Sequence, residues 1–374
     1  MWVPFTPQRG TCDLAPTTYC YLCIYSTLAI HLPKPLMRYL FCLLLAICAT
    51  TLTAQTTADD YVKQGIELHD AGNYTAAIAA YEKALELKPN WALANYEIAL
   101  SYHAAGELKQ AVKYTDKVLK AAEESNYLLS AYIVKGSALD DMGKSKKSIK
   151  VFNEALERMG EHYLLRFNLA LDYFREGNLQ LAAESAGKAI DHNYEHGSSH
   201  LLLANIQATM GHRSQTALAA LFFLLLEDDT PRATEARGLV NSAMGGGNVQ
   251  RGPNGNIQLT LSTEALTSGF GMSDMLLDMK LAQVVADSAG VEMTQLEKTL
   301  ASTKLVFDII SEKEGATADV WGGFYAPFFG SLHAAGHTEA FFYLVMADDE
   351  GEAAAWLEGH GDAVAAFEGW MSAE

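Results

Sequence analysis

Residues 58–91 read ADDYVKQGIELHDAGNYTAAIAAYEKALELKPNW, and this stretch decides the fold. Tyr61, Gly65 and Leu68 share one face of a helix at i, i+4 and i+7. Ala71-Gly72-Asn73-Tyr74 reads as a turn in which Gly72 takes the positive φ that ends a helix. Ala77, Tyr81 and Ala84 then face inward from a second helix, which Pro89 stops because proline has no amide hydrogen. Gly65 and Ala77 are small where the two helices are expected to cross closely.

The turn glycine recurs at 72, 106, 143, 177 and 211, in steps of 34, 37, 34 and 34 residues. A fixed period of this size predicts a stack of helical hairpins, each too small to bury its apolar face alone. The second unit keeps Ala99, Tyr102, Gly106, Ala111 and Val118. The third keeps Tyr132, Gly136, Leu139, Gly143, Phe152 and Ala155, after three extra residues around 126–128. Ala170, Tyr173, Gly177, Ala182 and Ala189 carry the fourth unit, and Ala204 and Gly211 the fifth.

The order aromatic, Gly, turn Gly, Ala-x-x-x-aromatic-x-x-Ala, Pro resembles the tetratricopeptide repeat over about 58–228. The resemblance implies an all-α helical solenoid of about five repeats (55–228) that binds a protein or peptide in a groove lined by the first helices. Carried across by position, the groove residues are Val62, Ile66, His69, Tyr96, Leu100, His103, Phe167, Leu171 and Phe174, with Ile133, Ser137, Asp140, Leu201 and Asn205. Val62, Ile66 and Ile133 stand at places where one family mode clamps a peptide's C-terminal carboxylate with Lys and Asn in the first repeat and Lys and Arg in the third, so that mode is not expected. The groove that remains is apolar and partly aromatic, suited to hydrophobic anchors or to the chain's own C-terminal part.

The chain has 374 residues and a formal charge of −18. That balance argues against nucleic acid and anionic membrane partners. All five cysteines lie within the first 48 residues, which leaves no cysteine nucleophile or disulfide framework for the rest. Met37-Arg38, the apolar run 39–49 and a small residue at Ala54 read as a secretory signal over 37–54. Residues 1–36 then form an extension ahead of the true start, or a disordered one. The mature chain is expected in a bacterial periplasm or cell envelope, with no membrane span after cleavage.

Residues 217–226, ALAALFFLLL, are apolar all round and predict a helix buried on every side, on which 229–374 docks as an acidic helical C-terminal domain. A short helix over 232–244, a loop over 245–256 and a strand within 256–261 are expected there. Helices follow at 273–288, 293–312, 318–335 and 338–370, the last broken near Gly351 or Gly361. From 319 to 374 there are ten acidic residues and no Lys or Arg. His333 and His337 are spaced for zinc on one helix, but Ala334 and Gly336 depart from the zincin pattern. No cofactor is expected. The function expected is a non-enzymatic adaptor; the alternatives are a metal-binding or enzymatic domain at 263–374, and a homo-oligomer formed through 217–226 or the groove.

Overall fold

Ten helices form five antiparallel hairpins, at the period that the glycines set. They are α1 (Ala58–Asp70), α2 (Tyr74–Leu87), α3 (Ala92–Ala104), α4 (Leu108–Ala121), α5 (Leu128–Asp141), α6 (Ser145–Met159), α7 (Tyr163–Arg175), α8 (Leu179–His192), α9 (Gly197–Thr209) and α10 (Arg213–Leu226). The computed structural model describes residues 56–121, 126–245, 249–251, 257–259, 271–287, 293–312, 318–347 and 351–373. The expected leader and all five cysteines lie outside them, as does part of the α4–α5 loop.

Each hairpin turn uses one device. Gly72 has φ +76°; its amide donates to the His69 carbonyl, and the Asn73 amide to the Leu68 carbonyl. This paired bond satisfies two carbonyls that the helix end leaves open. At the crossing of α1 and α2, a Cβ on Gly65 would stand 2.3 Å from the Tyr81 ring, so only glycine fits. Thr57 and Asp60 form a capping box that starts α1.

Every first helix packs on its own hairpin partner and on the first helix of the next unit. The first helices therefore line the inner side of the stack and the second helices its outer wall. Contacts group Thr57–Glu374 into one body, so the C-terminal helices belong to the same unit as the array.

After α10 the chain continues with α11 (Pro231–Met244), which Thr230 caps and which packs on α9 and α10 as another first helix would. The strand expected within 256–261 is present as β2 (Ile257–Leu259). It pairs antiparallel with β1 (Val249–Arg251), in the register Val249↔Leu259. β1 lies inside the stretch expected to be a loop; an edge partner supplies the backbone bonds that its own sequence does not advertise. Then come α12 (Gly271–Asp287), α13 (Gln295–Ser311), a π-helical turn (Trp321–Tyr325) leading into α14 (Ala326–Ala334), α15 (Thr338–Met346), α16 (Glu352–Gly359) and α17 (Gly361–Met371). The last expected helix is thus three: the first ends at Met346, the second runs from Glu352 to Gly359, and His360 separates it from the third.

The apolar helix predicted at 217–226 is buried from Ser214 to Leu224. Phe222 meets the rings of Phe324 at 4.8 Å and Phe328 at 5.0 Å, from the C-terminal helices. The start of α10 is capped from outside: Asp274 of α12 accepts from the amides of Arg213 (3.0 Å) and Ser214 (2.9 Å), while Arg213 pairs with Asp278. Because Ser214–Leu224 are covered within the chain, this stretch offers no face to a second copy, while Leu226 at the helix end is exposed. That part of the homo-oligomer expectation is corrected.

Candidate functional site

The inner side of the array is built from residues on the inward faces of successive first helices, one and two turns apart where one helix supplies several. Ile66 on α1, Leu100 on α3, Ile133 on α5 and Phe167, Leu171 and Phe174 on α7 keep part of their surface exposed. On α7 the three large side chains follow at i, i+4 and i+7 and form a stripe along one face. Phe167 meets the His196 ring edge-on at 5.0 Å.

Three positions expected in the groove are packing residues instead. Val62 is 4% exposed, Tyr96 8% and Leu201 7%. Val62 belongs to the cluster around Tyr81 and Ile98, and Tyr96 stacks on Tyr127 at 5.6 Å within the cluster of Ala99, Val118 and Val134. Neighbouring first helices approach closely enough to turn this row of side chains into the joint between units. Ser137 is buried as well.

The two groove histidines also serve the joints. His69 Nδ1 and the Ser101 hydroxyl are 2.8 Å apart, joining the first and second units. His103 Nε2 lies 2.9 Å from Asp141 Oδ2, joining the second and third. Asp140 pairs with Arg175 and accepts from Ser145 Oγ at 2.9 Å, which joins the third and fourth. Burial holds the His69 pKa below its ordinary value, against the pull of Asp70. A polar ladder thus runs beside the apolar stripe. Asn205 extends the pattern towards α11 through a bond to Glu235 at 2.9 Å.

His333 and His337 do not form a metal pair. α14 ends at Ala334, Gly336 turns the chain and His337 precedes α15, so no single helix carries both rings. The nitrogens of His333 are engaged by the Thr338 hydroxyl at 2.8 Å and by Asp308 at 2.9 Å. Among the described residues, no group of three or more His, Cys, Asp or Glu side chains could hold a metal ion.

One buried histidine escaped the sequence reading. His200 Nε2 donates to the Tyr194 carbonyl at 2.8 Å, so Nδ1 accepts from the Tyr325 hydroxyl at 2.7 Å. Burial pushes its pKa down to about 4 and that of Tyr325 up, so both are neutral at ordinary pH. In the repeat register His200 stands where Tyr61 and Tyr132 stand in other units, and that position is its only sequence signal. The bond ties the fifth unit to the C-terminal helices.

Stacked helical hairpins with a lined inner face define a helical-repeat solenoid, a class whose surfaces serve protein partners. Residues 65–106 match the TPR repeat family and residues 133–198 the tetratricopeptide repeat family, so this part of the chain carries tetratricopeptide repeats. A TPR repeat-containing protein of Methanocaldococcus jannaschii is 22% identical over 172 residues, which span 46% of this chain and 30% of that relative. Among solved structures, a thermophilic TPR protein of Thermus thermophilus is 18% identical, at a TM-score of 0.42 over 49% of this chain and 99% of its own. pilF of Pseudomonas aeruginosa is 20% identical, at a TM-score of 0.43 over 50% of this chain and 82% of its own. No helix among the described residues is long and apolar enough to cross a membrane.

Proposed function

We propose that this protein is an exported, non-enzymatic adaptor that holds a polypeptide partner against the inner face of its repeat array. The observation that carries the reading is the partly exposed stripe Phe167, Leu171 and Phe174 on α7, in line with Leu100 and Ile133. Large apolar side chains left part-open on a rigid concave wall favour a partner that covers them. The C-terminal helices pack mainly on α10 and α11, which supports a groove open to another chain rather than one filled by the tail. The first helices supply the lining, and the polar ladder fixes the spacing between its rows.

A photo-reactive amino acid at Leu171 tests this in cells that make the protein. The expected result is a discrete adduct with a second polypeptide, weakened at least tenfold by Phe174→Ala in a chain that remains folded; an aromatic anchor is worth about 2 kcal/mol or more. Adducts formed only within the chain, or an adduct indifferent to Phe174→Ala, would overturn it.

A further inference from the structure

The lysines of this acidic chain are not evenly spread: nine lie between residues 109 and 150. On α4, Lys109, Lys113, Lys117 and Lys120 follow at steps of four, four and three, which makes one exposed stripe along the helix. On α6, Lys146, Lys147 and Lys150 are exposed too. The two helices are neighbours on the outer wall. Arg158 of α6 donates to the Leu119 carbonyl of α4 at 3.5 Å, and Val112 and Leu119 pack into the cluster of Phe152.

These charges are not neutralised where they stand. Lys146 comes no nearer than 4.0 Å to Glu176, and among the described residues no ion pair reaches Lys109, Lys113, Lys117, Lys120, Lys147 or Lys150. Lys117 lies over the Tyr114 ring at 3.7 Å; burial first, and then the charge of Lys113, lower its pKa, with Glu82 opposing. The polarity reverses across the array. Its first helices (α1, α3, α5, α7, α9) carry eight carboxylates and four cations, and its second helices eleven cations and seven carboxylates.

The complementary surface lies at the other end of the same chain. Glu352, Glu358, Asp362 and Glu368 are exposed on α16 and α17, which hold no Lys or Arg. Within one molecule the two surfaces are on elements that do not pack together: α16 and α17 sit on α15, while α4 and α6 sit on first helices. We propose that the lysine wall of α4 and α6 seats the acidic α16–α17 face of a second copy of this chain. The contact is heterologous, leaving one surface free on each copy, so it propagates as a chain unless the rotation closes a ring. The net charge of −18 opposes approach at long range. Salt near 0.1 M, with a Debye length of about 10 Å, screens that repulsion while facing charges still meet.

Sedimentation equilibrium of the full chain tests this without reference to the groove. The weight-average mass should rise with concentration at about 0.1 M salt and return to the monomer at about 1 M, where the Debye length is about 3 Å. Lys113→Glu/Lys117→Glu/Lys147→Glu and Glu358→Lys/Asp362→Lys/Glu368→Lys should each lower the association constant at least tenfold when alone. An equimolar mixture of the two should associate again, because each reversed face then finds its reversed partner; that recovery also shows both variants are folded. A monomer at every concentration at 0.1 M, association that survives 1 M salt or both reversals, or a mixture that stays monomeric would overturn the proposal. So would a lysine wall that captures acidic polypeptides while the chain itself stays monomeric.

Discussion

The first three units and the C-terminal half bury their apolar surface by different routes. Tyr81 and Ile98 belong to one cluster, Tyr96 and Val118 to a second, Phe152 and Leu165 to a third, each confined to two or three consecutive hairpins. From Ala170 to Phe367 a single cluster joins α10, α11, α13, α14, α15 and α17. The near half is a row of local bargains, and the far half is one core closed by contacts between residues over a hundred positions apart. A row of nearest-neighbour interfaces loses stability in steps, whereas a shared core loses it together.

The largest test compares two phenylalanines buried to the same degree. Phe223 in α10 is 0% exposed and Phe152 in α6 is 1% exposed. Truncating either to alanine removes a full core ring and should cost about 4 kcal/mol. The distribution of the damage should differ. With Phe223→Ala, amide hydrogen exchange should rise together across α10, α11 and α13–α15. With Phe152→Ala it should rise in α5–α7 and leave α13–α15 protected. Loss of protection throughout the chain in Phe152→Ala would erase the distinction.

The same contrast explains what could be read in the sequence. The array is legible because each unit repeats one local rule: a glycine at the turn, a small residue at the crossing, an aromatic against it. The apolar helix at 217–226 announced that something must cover it, since no solvated face remains along its length. What covers it has no period. The bond between His200 and Tyr325 links positions 125 apart, and nothing near either residue points to the other. The candidate site was half legible for a related reason. Position in the repeat places a residue on the inner side, but how closely two first helices approach decides whether it lines a groove, as Leu171 does, or seals a joint, as Val62 and Tyr96 do.

A second test probes the joint between the third and fourth units. Asp172 on α7 is 2% exposed, and the Ser148 hydroxyl of α6 lies beside its carboxyl. That hydroxyl favours the charged carboxylate, yet neither Asp172 Oδ2 nor Ser148 Oγ has a hydrogen bond of good geometry. Burial dominates and raises the Asp172 pKa to about 7. A carboxyl whose folded pKa is raised stabilises the fold in its protonated form. Its contribution is full below the unfolded value of about 4, falls as pH rises through 7 and is flat above. Asp172→Asn should therefore stabilise the chain at pH 8 by about 2 kcal/mol, with little change at pH 4. Chemical denaturation at the two pH values reads this directly, and an equal effect at both would show that the carboxyl is charged throughout.

The smallest effect asks whether the two halves share any device at all. Gly336, between α14 and α15, has φ +79°; its amide donates to the His333 carbonyl, and the His337 amide to the Leu332 carbonyl. These are the bonds found at Gly72, between helices that have no repeat register in common with the array. A Cβ at either glycine would meet nothing within 4 Å, so alanine is opposed only by the left-handed backbone. Gly336→Ala and Gly72→Ala should then cost the same, about 1 kcal/mol, despite their different surroundings. A much larger loss at Gly336 would mean that the shared core amplifies a local backbone error where the open end of the array absorbs it. Equal losses would mean that the hairpin turn is an independent module, and that the two halves diverge only in what their helices pack against.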